Sequence, residues 1–263
     1  GELARRTIGQ VGDKGNYGVE YVLRDVLEGR DGKARRQRIA RGFYGRVVGG
    51  DNSEPEDGLD VVTTLDLEMQ DVADRALRRQ LEAQNALWGT ALVMEVATGD
   101  LLAMANLSRT KSGAYAEVKN HALSSRMEPG STFKLAALLA LVDDAGMSLD
   151  ETFDTGNGAR VKVGRTTVQD SHGLPPLNLK DAVAHSSNVF FARAVYETYK
   201  DDPERYVDYL RHLHLDRTVG LEEFGAVAPI FPAPGMKIWY PDVSIVNMGY
   251  GYAIELTPLH TLT

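Results

Sequence analysis

The longest apolar run in the chain is Leu135–Val142, Leu-Ala-Ala-Leu-Leu-Ala-Leu-Val. Every helical position in it is apolar, so a fold that contains it is expected to bury a helix on all sides. It is far too short to span a membrane, which takes about 20 such residues. In front of it stands Met-Glu-Pro-Gly-Ser-Thr-Phe-Lys, residues 127–134. Pro-Gly-Ser is an ordinary way to open a helix, with Ser131 as its cap. Lys134 is not ordinary. A capping box puts Glu or Gln three residues after the cap, because the N-terminus of a helix carries partial positive charge. A lysine there is unfavourable unless the fold uses it. Desolvation lowers a lysine pKa by as much as about 3–5 units, and a neutral lysine is a competent general base. The i, i+3 spacing puts Ser131 and Lys134 on one face, about 5–6 Å apart at Cβ. The Ser131 N–H, at the helix start, can donate to a developing oxyanion. Ser131 and Lys134 are therefore a candidate nucleophile and base, although Ser-x-x-Lys alone is a short pattern that recurs by chance.

A second cluster, Ser186-Ser187-Asn188, lies 55 residues after Ser131 and interrupts an apolar-periodic segment. Such clusters are usually turns. A hydroxyl there can also relay a proton, and an asparagine amide can bind both a carbonyl and an N–H. Other chemistries are poorly served. The net charge of -8 disfavours nucleic acid as a partner, and the absence of cysteine excludes disulfides, thiolate metal sites and a cysteine nucleophile. His212 and His214 flank Leu213 and Asp170 lies near His172, but no carboxylate cluster completes a metal site.

The rest of the chain predicts a mixed α/β protein. Residues 18–28 read as one short helix ended by Gly29, with Val19, Val22, Leu23, Val26 and Leu27 on its inner face. The basic stretch 32–46 reads as extended and solvated rather than as a lipid- or polymer-binding face. A short strand and then a helix are expected over 58–84, capped by Thr64 or Asp66, with Met69, Val72, Ala73, Ala76, Leu77 and Leu81 inward. Two apolar runs around Thr98-Gly99-Asp100 predict a hairpin of strands covered on both faces. Residues 150–178 and 218–242 are rich in glycine or proline and read as loops. Helical pieces are expected on either side of Ser186–Asn188, and a helix capped by Asp202 with Pro203 in its first turn. Tyr250 and Trp239 are candidates for lining a groove or for plain packing. A first residue that is not Met and an apolar-periodic final stretch predict a piece of a longer chain.

Glu-Pro-Gly-Ser-Thr-Phe-Lys together with Ser-Ser-Asn resembles the active-site pair of the penicillin-binding protein and serine β-lactamase superfamily. Residues 18–32, 58–70, 92–106, 120–134 and 247–263 each resemble class B penicillin-binding proteins, in family order and over nearly the whole chain. The resemblance implies a three-layer α/β sandwich with an antiparallel sheet, an all-helical subdomain, and part of an N-terminal pedestal. The pedestal would take residues 1–60 and a C-terminally incomplete transpeptidase domain residues 61–263. It implies a D,D-transpeptidase of the septal, division type, anchored in the cytoplasmic membrane with this domain outside, and no cofactor or metal. Ser131 would attack the D-Ala-D-Ala end of a peptidoglycan stem peptide, Lys134 would take its proton, Ser186 would pass a proton to the leaving group, and Asn188 would hold the substrate backbone. β-Lactams would trap Ser131, and wall-synthesis membrane proteins would bind the N-terminal segment. The family's third motif, Lys-Thr/Ser-Gly, is expected beyond the Thr-Pro-Leu segment and is read as absent from this chain. The family also admits a D,D-carboxypeptidase or a non-catalytic scaffold of the wall-synthesis complex.

Overall fold

The computed structural model describes residues 3–13, 15–33, 36–46 and 53–263. They form two compact units, Gly1–Asn120 and His121–Thr263. Both mix helices with antiparallel strands.

The first unit begins with three short helices, α1 (Arg5–Ile8), α2 (Gly18–Val22) and α3 (Arg24–Leu27). The single helix expected over 18–28 is thus two pieces. Leu23, at φ -101 and ψ 21, breaks it, and Val26 is exposed rather than inward. Gly29 ends it as anticipated, at φ 67, where a Cβ would meet the Glu56 carbonyl at 2.3 Å. Strands β1 (Arg36–Ala40) and β2 (Phe43–Arg46) pair as a hairpin. Most side chains of this basic stretch, and with them its reading as solvated, lie outside the described residues.

No strand forms between 58 and 66; the chain runs straight into α4 (Leu67–Gln84). Asp66 caps α4 by accepting the Met69 N–H at 2.8 Å, while Thr64 instead donates to the Leu101 carbonyl. The buried stripe is Gln70, Ala73 and Leu81, with Met69, Val72 and Ala76 exposed. One polar contact explains the rotation. Gln70 Oε1 accepts the Met104 N–H at 2.7 Å, and that bond turns Gln70 towards the sheet in place of Met69. The sheet is β3 (Trp88–Met94), β4 (Leu101–Arg109) and β5 (Tyr115–Ala116), in that order and antiparallel. Only β4 is covered on both faces, over 103–107; β3 is a half-buried edge strand.

In the second unit, α5 (His121–Ser124) leads into a single 3-10 turn, Gly130–Phe133, continued by α6 (Lys134–Leu139) and a π turn over Ala140–Asp144. The stretch 150–178 is not wholly irregular: β6 (Thr152–Phe153) pairs with β9 (Leu177–Asn178), and β7 (Val161–Val163) with β8 (Thr166–Val168). Then follow α7 (Leu179–Ala184), α8 (Asn188–Tyr199), α9 (Pro203–His212), α10 (Ser244–Met248) and α11 (Pro258–Leu262). Asp202 caps α9, with Pro203 in its first turn and Tyr206, Val207 and Leu210 buried.

The most deeply buried helix of the unit is α8, not α6. Val189, Phe190, Phe191, Ala192, Ala194 and Val195 of α8 are fully buried, whereas Leu135 and Leu139 of α6 are 63% and 40% exposed. The difference lies in the neighbours. α8 is enclosed by α6, α7, α9, α10 and the short strands, while α6 packs by one face, through Phe133, Ala137, Ala140 and Leu141. Fully burying one Phe or Val is worth about 1.5–3 kcal/mol, so α8 anchors the unit and fixes whatever its N-terminus carries.

Candidate active site

Ser131 is not a helix cap. It lies inside the 3-10 turn, exposed, and makes no capping bond. The turn is positioned from its N-terminal side. Gly130 donates to the Gly251 carbonyl at 2.9 Å, and a Cβ on Gly251 would lie 1.8 Å from the Gly130 carbonyl oxygen. Only glycine at 251 permits this approach, which explains Gly251 beside the Ser131 turn.

Lys134 is buried, at 5% exposure. Its Nζ donates to three acceptors at the junction of α7 and α8: the Ser186 carbonyl, Ser186 Oγ at 3.0 Å and Asn188 Oδ1 at 2.7 Å. The Phe191 ring lies 5.9 Å away. Burial lowers the Lys134 pKa to about 8, against an opposing pull from the Asp170 carboxylate. The Ser131 hydroxyl is not among the Lys134 partners and has no hydrogen-bond partner among the described residues. Contacts of this kind commonly tighten only when substrate is bound.

Ser186 ends α7 in the manner of a Schellman turn. Its N–H donates to the Val183 carbonyl and the Ser187 N–H to the Ala182 carbonyl, with Ser186 itself at φ 51. Glycine is the usual residue at such a position. A serine there costs about 1–2 kcal/mol of backbone strain and gains a hydroxyl aimed at Lys134. Ser187 then caps α8, accepting the Phe190 N–H at 3.0 Å.

The residue missed by motif reading is Asp170. It is 7% exposed and accepts from Ser187 Oγ at 2.8 Å, Asn188 N at 2.6 Å and Val189 N at 3.2 Å. A carboxylate at the start of α8 suits the positive end of the helix and holds Ser187 and Asn188, the latter bonded to Lys134. The sequence placed Asp170 only beside His172, in a loop 16 residues from Ser186, with no periodicity to link them. His172 and His185 meet edge to face at 6.4 Å, and His260 bonds Thr257 and the Arg217 carbonyl. No group of three or more metal-ligating side chains occurs among the described residues. Trp239 and Tyr250 pack against the core of the second unit; Tyr250 also bonds Asn247 at 3.0 Å. A Lys-Ser-Gly tripeptide does occur, Lys111–Gly113, but it precedes Ser131 and forms the exposed turn between β4 and β5.

An exposed serine in a 3-10 turn stands three residues before a buried lysine of lowered basicity, and a second serine and an asparagine bond that lysine, on a mixed α/β fold. The chain belongs to the family described as the penicillin binding protein transpeptidase domain, which it matches over residues 89–263. It is 27% identical over 98% of its length to the probable peptidoglycan D,D-transpeptidase PenA of Neisseria meningitidis, of which it covers 44%. It is 30% identical over 98% of its length to the penicillin-binding protein PbpB of Mycobacterium tuberculosis, of which it covers 38%. Among solved structures, it superposes on penicillin-binding protein 3 from M. tuberculosis, a complex with aztreonam, with a TM-score of 0.79. The identity is 26%, covering 99% of this chain and 55% of that one. The chain thus spans less than half the length of these curated relatives.

Proposed function

We propose that the protein is a serine D,D-transpeptidase that cross-links peptidoglycan stem peptides. The observation that carries this reading is the buried Lys134, with its pKa brought to about 8 and its Nζ bonded to Ser186 and Asn188. Lys134 in its neutral form takes the Ser131 proton as Oγ bonds to the carbonyl carbon of the penultimate D-Ala. The Ser131 N–H stabilises the oxyanion. The amide bond to the terminal D-Ala breaks, and its nitrogen leaves with a proton relayed from Lys134 through Ser186. An amine of a neighbouring stem then attacks the ester and returns Ser131 to its hydroxyl. Covalent catalysis divides one difficult acyl transfer into two easier ones. Asn188, held by Asp170 through its own N–H, presents its amide to the substrate backbone.

The names of the relatives, PenA, PbpB and the probable peptidoglycan D,D-transpeptidase FtsI of Caulobacter vibrioides, support a class B enzyme of the division type. On the same reading residues 1–60 are part of a pedestal that meets wall-synthesis membrane proteins, the domain works outside the cytoplasmic membrane, and β-lactams acylate Ser131.

The test is covalent labelling of the full-length protein by a fluorescent penicillin, read by gel and intact mass, beside Ser131→Ala. A mass gain that disappears in the variant supports the reading. An unlabelled wild-type protein, or a variant that labels equally, refutes it.

A further inference from the structure

Resting on that reading, we infer that Glu128 is a positioning residue for the nucleophile turn, acting through Ala253. Residues 127–130 and 251–256 form an irregular antiparallel ribbon. Met127 and Leu256 exchange both backbone hydrogen bonds at 2.9 Å, and Gly130 donates to Gly251. Two residues on one side, Glu128 and Pro129, therefore oppose four on the other, 252–255. The longer side must bulge. Glu255 is fixed from its far side by a mutual pair of bonds with Ile230, so the bulge is confined to 252–254. Ala253 absorbs it in the left-handed region, at φ 65, although it is not glycine.

The Ala253 N–H is directed back at the short side, where the Pro129 carbonyl is turned to Thr132 Oγ1 at 2.7 Å instead. The Glu128 carboxylate takes that place, accepting Ala253 N at 3.1 Å. A side chain thus completes a ladder that the backbone cannot, and it holds a strained residue in the conformation that keeps Gly251 under Gly130. Ser131 follows Gly130 directly, so slack in the bulge becomes displacement of Oγ. Small displacements of a reacting atom are costly in rate while leaving ligand binding nearly unchanged.

The test uses the full-length protein and a chromogenic β-lactam, separating the non-covalent dissociation constant from the acylation rate constant. Glu128→Ala is expected to lower the acylation rate constant about tenfold, as for one lost charge-assisted bond, with the dissociation constant unchanged. Glu128→Gln, which keeps an acceptor, is expected to restore most of the rate. The double variant Glu128→Ala with Ala253→Gly is expected to recover as well, because glycine adopts the left-handed conformation without help. An unchanged rate in Glu128→Ala, a loss confined to the dissociation constant, or failure of both rescues overturns the inference. A wild-type protein that is not acylated at Ser131 overturns the transpeptidase reading itself, whereas acylation that is indifferent to Glu128 overturns only this inference.

Discussion

Asp170 Oδ2 accepts the Ser187 hydroxyl at 2.8 Å while Oδ1 accepts the Asn188 N–H at 2.6 Å, so one buried carboxylate holds two consecutive residues of the site from 17 and 18 positions away. It also draws the Lys134 pKa upwards against the larger effect of burial. Asp170→Asn removes that charge. The Lys134 pKa is then expected to fall below about 8, and the acidic limb of the pH profile for β-lactam acylation to move to lower pH. Asp170→Ala leaves buried donors unpaired and is expected to cost about 1–3 kcal/mol of stability, measurable by chemical denaturation. An acidic limb that does not move in Asp170→Asn counts against the coupling.

Lys134 makes its own pH prediction. Its pKa is about 8 in the folded chain, against 10.5 for an ordinary lysine. Acylation is expected to rise with pH through about 8 and then level off. Stability moves the same way. Between the two values the unfolded chain holds the proton and the folded chain does not, so folding strengthens as pH rises across that window. Below it, the charged buried lysine costs on the order of 3 kcal/mol. Lys134→Met is expected to be more stable than the wild type near pH 7 and to lose acylation by roughly 10²–10⁴-fold. Denaturation curves at pH 7 and pH 10 check the first statement.

Ser186 separates strain from chemistry. Ser186→Gly relieves the left-handed backbone, and Ser186→Ala keeps it while losing the same hydroxyl. Both variants are expected to acylate slowly, but the glycine variant should be the more stable of the two by about 1 kcal/mol. Equal melting temperatures would show that the φ of 51 carries no cost.

Gly251→Ala has no relaxed solution, since its Cβ meets the Gly130 carbonyl oxygen at 1.8 Å and its φ is 89. A loss of about 3 kcal/mol is expected, together with acylation reduced beyond what stability explains. Thermal unfolding and labelling of the folded fraction test both.

The motif residues were legible because each broke a local rule: a lysine at the positive end of a helix, and a Ser-Ser-Asn cluster inside an apolar period. Asp170 was not legible, since nothing local marks a carboxylate that caps a helix from another loop. The α4 stripe was misplaced for a related reason. Burial of Gln70 depends on a bond to Met104 N, 34 residues on, and apolar periodicity does not register polar contacts. The run in α6 is apolar at every position and predicts an enclosed helix, whereas α8 reads only as apolar-periodic; the surrounding elements, not the run itself, decide which of them is the more buried. The short strands between 150 and 178 are two or three residues long, below the length at which alternation is visible.

The three acceptors around Lys134 Nζ differ in what they can do in reverse. The ammonium has three protons, and each is spoken for: by a peptide carbonyl, by an amide oxygen and by a hydroxyl. A neutral amine has only two protons and one lone pair, so one of these bonds must break or change sense when Lys134 loses its charge. Neither the carbonyl nor the amide oxygen has a proton to give. Only the Ser186 hydroxyl can turn round and donate. The charge on Lys134 and the direction of the Ser186 O–H are therefore coupled: the lone pair that receives a proton from Ser131 is the same one that Ser186 can fill while the site waits.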